Sequence, residues 1–371
     1  MKIRWFPGTY SYHGTRGTPH FVTMAALVLT TALMSALAPP TVVVTGATGR
    51  VGRLVVQRLL QREGTATTVR AVVRDGAKAL EVLPRDGRIE LVFCDLASDD
   101  CAAAIKRMCE GADAVIWCAS GFKPDGTLID IDGVTEFAKA FDNGNASGIA
   151  PKVVLCSSAG VSRPQWSEEK KKKLVGAADI PIIRLNPGAI LDKKMVAEAK
   201  LREGGAPYCI VRPTGLKDTW PAGRPILSQG DVAVGRTNPD DLAEVLVSCL
   251  EEPHAAGKTF EMFTMTGYPA GALGTALEAL ASDKAPPSEA AVEASYRVLQ
   301  QMLPGEQQDA TKLEMGRTYE EVDAGKVGRK RGAAPTEREL SVAQGALTSM
   351  GGAPATPMPG FLRRLFRRSS S

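Results

Sequence analysis

The chain has 371 residues, of which 44% are hydrophobic and 23% are charged, as in an ordinary globular protein. This composition excludes a mainly disordered chain, a collagen-like chain and a protein with several membrane spans. The seven cysteines are scattered without a C-x-x-C pair, which argues against a disulfide framework and against a zinc ribbon. Of the three histidines, only His254 lies beyond residue 40. We therefore expect no metal site and no Ser-His-Asp catalysis.

The net charge of +4 is concentrated at the two ends of the chain. Residues 1–40 contain three basic residues and no acidic residue, and residues 361–371 contain four arginines. The region from 41 to 360 therefore carries a net charge of −3. A mildly acidic body lacks the basic surface that nucleic acid requires, so we expect no nucleic-acid partner.

Residues 1–40 are predicted to be a targeting segment. They contain eight serines and threonines and an uncharged run from Met24 to Ala38, which suits a signal h-region and is short for a membrane span. Unpaired cysteines favour a plastid over secretory export. The alternative is a non-native upstream extension, in which Met24 rather than Met1 is the true start.

The other end of the chain, residues 361–368, is basic and amphipathic. On a helix, its phenylalanines and leucines would fall on one side and its four arginines on the other. Such a helix could make a peripheral membrane contact or dock on a partner, but eight residues do not hold a helix alone, and a solvated tail is favoured. Glycine, lysine, arginine and proline dominate after about residue 325, so we expect residues 326–371 to be disordered.

A glycine-rich turn follows the first predicted strand. Thr41–Thr45 is a β-branched run, and Gly46, Gly49 and Gly52 come next at G-x-x-G-x-x-G spacing, before an amphipathic helical stretch. The first glycine allows the tight turn, the second lets the backbone approach a pyrophosphate, and the third lets the helix pack on the strand. Within a strand–turn–helix unit, this pattern predicts a dinucleotide site. Its cofactor-binding residues are Gly46, Thr48, Gly49, Arg50, Val51 and Gly52.

Four further strands are predicted at 69–73, 89–93, 112–117 and 152–156, with helices at 98–109 and 132–141. The alternation predicts an α/β fold, a doubly wound parallel sheet of the Rossmann type. We expect residues 41–266 to form this domain, including a small substrate-side lobe at about 217–266, and residues 267–325 to form a helical extension. Ligands should bind at the carboxyl ends of the strands.

Arg74 ends the second strand, where an NAD-binding protein would place an acidic residue. An arginine there can pair with a 2′-phosphate, and Arg50 could close over the same group. Asp75 could still meet a ribose hydroxyl. We expect the cofactor to be NADP(H) rather than NAD.

Small and polar residues end the next two strands. Asp95 and Leu96 follow the third strand, where an adenine amino group is expected, and Ala119, Ser120 and Gly121 follow the fourth, leaving room for a cofactor ribose. Each could also be ordinary turn chemistry, but their position at successive strand tips predicts cofactor contact.

Together these motifs resemble the atypical short-chain dehydrogenase/reductases, in particular the NmrA-like branch with its NADPH-binding plastid relatives. The resemblance rests on the glycine turn, Val72–Asp75, Asp95-Leu96, Ser157–Val161 and Tyr208–Leu216, and it covers about residues 41–265. It implies a Rossmann fold, NADP(H) binding and a plastid location.

The Tyr-x-x-x-Lys pair of the catalytic members is absent, because none of the six tyrosines has a lysine four residues later. The resemblance implies that Lys194 holds the nicotinamide ribose, that Ile190 occupies the tyrosine's place and that Ser157 is the substrate-orienting serine. The chain from Pro213, after the sixth strand, would run beside the carboxamide group of the nicotinamide. The segment 180–188 mimics this sixth strand, but we assign 208–216 because it follows the lysine helix.

The sequence therefore predicts an NADP(H)-binding protein with a reductase activity that needs little acid assistance. Lys194 and Cys118 are the remaining candidate proton donors. The alternative is a non-catalytic NADPH-dependent redox sensor or assembly factor that docks on a membrane protein complex. The partner is then either an unidentified small-molecule substrate or that complex. A reductase of phenolic or terpenoid metabolites is a third possibility that rests on family analogy alone.

Overall fold

The computed structural model describes residues 40–64, 66–98, 100–142, 150–178, 180–302 and 337–351. The predicted targeting segment, apart from Pro40, and the basic end at 361–368 lie outside the described residues.

Ten strands are described. They are β1 (Thr41–Thr45), β2 (Thr68–Val73), β3 (Ile89–Phe93), β4 (Ala114–Trp117), β5 (Val153–Cys156), β6 (Tyr208–Pro213), β7 (Gly215–Leu216), β8 (Gly223–Ser228), β9 (Arg236–Thr237) and β10 (Lys258–Thr266). Eight of them form one sheet in the order β3-β2-β1-β4-β5-β6-β10-β8. All neighbours pair in parallel except β8, which is antiparallel to β10. The prediction of a doubly wound parallel sheet is confirmed.

Helices connect these strands and cover both faces of the sheet. They are α1 (Gly52–Gln61), α2 (Gly76–Val82), α3 (Cys101–Cys109), α4 (Ile129–Ala140), α5 (Glu168–Lys173), α6 (Val175–Ala178), α7 (Pro181–Leu185), α8 (Ile190–Glu203), α9 (Pro239–Glu251), α10 (Leu273–Glu278), α11 (Glu289–Met302) and α12 (Glu337–Ser349). Short 3₁₀ turns lie at Arg163–Gln165, Pro187–Ala189 and Pro253–Ala255. None of the described helices is long and apolar enough to cross a membrane.

The hydrophobic core has two layers, one on each face of the sheet. On one face, α1 and α9 pack together through residues such as Val55 and Leu246. On the other face, α3, α4 and α8 contribute Ile105, Phe137 and Leu201. Successive residues of β1 lie in alternate layers, because neighbouring side chains of a strand point to opposite faces of the sheet and both faces are covered here.

The region assigned to a small lobe is continuous with the main sheet. β10 pairs with β6, β8 pairs with β10, and α9 packs on α1. Asn238 caps α9 by accepting hydrogen bonds from the N–H groups of Asp240 and Asp241, as the Asn-Pro-Asp-Asp sequence indicates. The segment 180–188, which mimics a strand in sequence, contains α7 and a 3₁₀ turn, and β6 begins at Tyr208 as assigned.

The expected disorder from residue 326 onward is wrong for α12. That expectation rested on the glycine, proline and charged residues of the surroundings. The segment 337–349 itself has no proline and contains two glutamates, two leucines, two alanines, one arginine and one glutamine, all of which favour helix. It packs on α7 and on the 3₁₀ turn at Pro187–Ala189, so tertiary contact supports a helix that composition alone does not reveal.

Helix α4 packs closely on the sheet at Gly133. A methyl group there would overlap the indole ring of Trp117, the buried last residue of β4, whose ring also meets Phe137 edge-on at 5.9 Å. We predict that Gly133→Ala lowers the free energy of unfolding, because overpacking costs about 1–3 kcal/mol and outweighs the helix-propensity gain of about 1 kcal/mol.

Denaturant unfolding would measure this effect. Gly87→Ala is the matched control, since no atom of the described residues lies within 4 Å of its new methyl group, and it should leave the stability unchanged or slightly higher. Equal stability of the two variants would contradict the packing argument.

Candidate functional site

The glycine turn is pressed against the tip of β4. Gly46 has φ of +63°, and a side chain there would lie 2.8 Å from the backbone of Cys118 and Ala119. The N–H of Gly49 donates to the carbonyl of Gly46 at 2.8 Å, and a Cβ at Gly52 would overlap that same carbonyl. Close backbone approach therefore requires glycine at positions 46 and 52, and a Cβ at Gly49 would lie 3.0 Å from the carbonyl of Gly46. The approach of Gly49 to a pyrophosphate stays a prediction.

This turn lies at the point where the strand order reverses. β1 pairs with β2 on one side and with β4 on the other, so the crevice outside the carboxyl ends opens here. The Thr45 hydroxyl accepts hydrogen bonds from the N–H groups of Cys118 and Ala119 at 3.2 and 3.3 Å, which ties the two strand tips together.

The amino terminus of α1 is open to a ligand. The helix begins at Gly52, and no side chain caps it. The N–H groups of Arg53 and Leu54 in its first turn donate to the carbonyls of Gly49 and Val51 at 3.2 and 3.0 Å. The positive end of the helix dipole is still favourable for an anion such as a pyrophosphate.

Two neighbouring residues at the tip of β2, Arg74 and Asp75, have different surroundings. One oxygen of the Asp75 carboxylate accepts hydrogen bonds from the N–H groups of Ala77 and Lys78 at 2.9 and 3.2 Å and so caps α2. Arg74 is exposed beside it. The Asp75 carboxylate thus has a structural role, while the Arg74 guanidinium faces solvent.

The other residues predicted to contact the adenine end of the cofactor differ in their burial and in their contacts. Arg50 is exposed and lies 3.6 Å from Asp218. Asp95 is exposed and accepts a hydrogen bond from the N–H of Ala97 at 3.0 Å, which makes a local turn, while Leu96 is buried. A turn role for Asp95 is therefore present in the structure, and its contact with adenine stays a prediction.

A buried ion pair marks the opposite end of the crevice. The ammonium of Lys194, near the start of α8, donates to the carboxylate of Asp130 in α4 at 2.9 Å, and both side chains are buried. Burial alone would lower the pKa of Lys194, but Asp130 more than offsets it and holds that pKa above 10.5. The second carboxylate oxygen of Asp130 is buried without a hydrogen-bond partner among the described residues.

Ser157 is engaged by a second buried network. Its hydroxyl donates to Glu198 at 2.6 Å, and Glu198 also receives the guanidinium groups of Arg212 and Arg202. Burial would raise the pKa of Glu198, but the two arginines and the serine hydroxyl lower it below its usual value. Glu198 is therefore a charged, fully hydrogen-bonded group that fixes the orientation of Ser157.

The structure brings the predicted residues to one edge of the sheet, at the tips of β1, β2, β4, β5 and β6 and the start of α8. Ala119 and Gly121 are buried there, Ser120 is exposed, and Pro213 ends β6. Burial raises the pKa of the Cys118 thiol well above 9, which makes it a weak proton donor. No group of three or more metal-binding side chains occurs within the described ranges.

Sequence reasoning missed Asp130, Glu198 and Arg212. Glu198 could have been found, because it lies four residues after Lys194 on the same face of one helix. Asp130 gave a weaker signal, an acidic residue within the apolar run from Leu128 to Ile131. Its partner lies 64 positions away, and no local pattern connects the two.

Comparison with known proteins identifies the family of the chain. The model of the family described as NAD(P)H-binding matches residues 46–253, more than half of the chain. The chain belongs to the NAD(P)H-binding family. The motif-based resemblance to the atypical short-chain dehydrogenase/reductases is thereby confirmed, because the match begins at the glycine turn and runs through the strands that carry the other motifs.

Relatives of the chain come from a plant. An uncharacterised chloroplastic protein of Arabidopsis thaliana is 32% identical over 241 residues, which are 62% of this chain and 78% of the relative. A second uncharacterised chloroplastic protein of that plant is 28% identical over 246 residues, 60% of this chain and 69% of the relative. Among solved structures, an oxidoreductase from Lactococcus lactis matches with a TM-score of 0.48 and 20% identity, over 65% of this chain and 96% of that one.

The buried pair leads to a test of stability. We predict that Asp130→Asn destabilises the fold by about 3–5 kcal/mol at pH 7, because it leaves the Lys194 charge buried without a partner. Without the carboxylate, burial lowers the pKa of Lys194 in the folded state below its value in the unfolded state. The unfolded chain then binds more protons, so the stability of the variant should rise with pH and its deficit should narrow between pH 7 and 9.

In the wild-type chain the raised pKa keeps Lys194 protonated across this range, and its contribution decreases only as the pH rises above 10.5. The control is Asp132→Asn on the same helix, whose carboxylate forms an exposed pair with Lys123 at 2.5 Å worth about 1 kcal/mol or less. Urea unfolding at several pH values measures both variants. Equal losses, or a deficit of Asp130→Asn that does not change with pH, would show that Lys194 does not depend on Asp130.

Proposed function

We propose that the chain is a plastid NADP(H)-binding oxidoreductase of the atypical short-chain dehydrogenase/reductase type. We choose NADP(H) over NAD because of two residues at the tip of β2: Asp75 caps α2, and Arg74 is exposed. An acidic residue that is engaged as a helix cap is poorly placed to accept ribose hydroxyls. An exposed arginine at that position suits a 2′-phosphate.

The rest of the site supports binding of a dinucleotide in an extended form. The open amino terminus of α1 would hold the pyrophosphate, and Arg50 would approach the adenine end from the same turn. Lys194 would donate to the nicotinamide ribose, with Asp130 keeping its ammonium charged. The unpartnered oxygen of Asp130 can accept a hydrogen bond from a ligand hydroxyl at this position.

Among the described residues, the side chains at the nicotinamide end are poor proton donors. When bound, NADPH would supply a hydride to the substrate. Ile190 occupies the position where the resemblance implies a tyrosine. The Ser157 hydroxyl already donates its proton in a hydrogen bond to Glu198. Burial raises the pKa of the Cys118 thiol. The site therefore fits a substrate that needs little acid assistance, such as an activated double bond whose proton comes from solvent.

A second candidate function is a non-catalytic NADPH-dependent sensor or assembly factor. This function is favoured because Lys194 and Ser157 are hydrogen-bonded to the buried carboxylates of Asp130 and Glu198. Such an arrangement fits a site that binds a cofactor without converting a substrate. In this role the basic end at 361–368, outside the described residues, would dock on a membrane protein complex. The chloroplastic relatives support a plastid location for either function.

Cofactor choice is tested by fluorescence titration with NADPH and NADH. We predict that Arg74→Ala weakens NADPH binding about tenfold or more, because a charged hydrogen bond contributes about 1.5–3 kcal/mol, and leaves NADH binding unchanged. Arg85→Ala, an exposed arginine before β3, is the control and should bind both cofactors as the wild-type chain does. A wild-type chain that prefers NADH, or an Arg74→Ala variant with unchanged NADPH affinity, would remove the assignment of the 2′-phosphate contact.

Activity separates the two candidate functions. The wild-type chain with NADPH is offered a panel of ketones, aldehydes and enones, and NADPH oxidation is followed. Turnover of enones in preference to simple ketones is the expected outcome for the oxidoreductase. Tight NADPH binding with no turnover across the panel would favour the sensor.

A further inference from the structure

Residues 337–351, here called the cover segment, lie against the nicotinamide end of the crevice. The N–H of Phe122 donates to the carbonyl of Met350 at 2.8 Å. A Cβ at Gly121 would lie 3.2 Å from the same carbonyl, so this glycine lets the segment come close. Gly121 is also the last of the predicted cofactor-binding residues after β4. The cover segment thus contacts the strand tip that the cofactor is proposed to use.

A second contact joins the cover segment to the start of α8. The side chain of Leu347 lies 2.7 Å from where a Cβ of Gly188 would be, and α12 packs on α7 and on the turn at Pro187–Ala189. This turn leads directly into Ile190, which stands in the tyrosine's place. The cover segment therefore spans both sides of the position where a substrate would meet the nicotinamide.

The surface that receives the segment is held together by Lys193. Its ammonium donates to the carbonyls of Gly126 and Gly188, both at 2.8 Å, and lies 4.8 Å from the centre of the Phe122 ring. One side chain thereby links the loop after β4 to the turn before α8. The two contact points of the cover segment are parts of one platform rather than two independent loops.

The turn in this platform has a strained backbone. Asn186 and Ala189 have φ of +31° and +54°, values that L-residues other than glycine rarely adopt. The Asn186 side chain stabilises the turn by accepting from the N–H of Leu191 at 2.9 Å and donating to Asp192 at 2.6 Å. Strain of this kind persists only where surrounding contacts enforce it, and it concentrates at ligand sites.

From these contacts we infer that the cover segment is an intramolecular cover that limits access to the nicotinamide end of the site. The inference rests on the proposed NADP(H) site and adds a control of access to it. The segment lies beyond residue 253, where the match to the family ends. Leu347 is the side chain that seats it, and Leu340 of the same helix, which is 44% exposed, does not contribute to the seat.

The test uses the full-length chain and compares Leu347→Asp with Leu340→Asp as its matched control. NADPH is bound to each, and two quantities are measured: quenching of NADPH fluorescence by acrylamide and the rate of NADPH dissociation. A carboxylate at position 347 should unseat the segment, so quenching and the dissociation rate should each rise at least threefold. Leu340→Asp should behave as the wild-type chain does.

Hydrogen exchange at the Phe122 amide reports on the contact itself. It should be protected in the wild-type chain and in Leu340→Asp and lose protection in Leu347→Asp, while the amide of Val115, bonded to Lys152 within the sheet, stays protected in all three. Loss of protection at Val115 would mean that the variant is unfolded. In that case Leu347→Ala, which removes the contact without adding a charge, replaces it in every measurement.

The outcomes separate the inference from the proposed function. If the wild-type chain does not bind NADPH, the proposed function fails and the cover fails with it. If NADPH binds and the variant at position 347 shows wild-type quenching and dissociation, the cover alone is overturned. Exposure of the Phe122 amide in the wild-type chain would also overturn it.

Discussion

The contact between the glycine turn and the tip of β4 is the constraint on which the rest of the site depends. Two backbone segments approach each other there so closely that a Cβ at Gly46 would lie 2.8 Å from the carbonyl of Cys118, and within the turn itself a Cβ at Gly52 would overlap the carbonyl of Gly46. The approach sets the direction of α1, and the direction of α1 decides where an anion can be held. Because β1 and β4 are neighbours in the sheet, the same contact fixes the crevice in which both ends of a dinucleotide must lie.

The nicotinamide end is organised by buried charge instead. Lys194 with Asp130, and Glu198 with its two arginines, place ionised groups where few side chains reach solvent. Such groups are costly to bury unless each is paired, and breaking a pair costs more than the pair contributes. The networks therefore restrict the site to one arrangement. They also engage the Lys194 ammonium and the Ser157 hydroxyl in hydrogen bonds to Asp130 and Glu198.

The sequence predicted the fold and the binding of NAD(P)H because both depend on local patterns. A β-branched strand, three glycines at fixed spacing and an amphipathic helix occur within about twenty residues, and each has a direct physical meaning. The Asp130–Lys194 pair and the seat of Leu347 on Gly188 join residues far apart in the chain, so no spacing rule reveals them. Helix α12 was missed for a related reason: its neighbours in sequence look unstructured, and the contacts that support it come from elsewhere in the fold.

The position of β10 has a consequence for dividing the chain. The match to the family ends at residue 253, but β10 begins at Lys258 and lies between β6 and the edge strand β8. A fragment ended at the family boundary would leave β8 without the strand it pairs with and would open the backbone edge of β6 to solvent. Unpaired strand edges recruit other chains. The boundary of the family match and the boundary of the folded sheet therefore differ in this protein, and only a fragment that continues past Thr266 keeps β6 and β8 paired with β10.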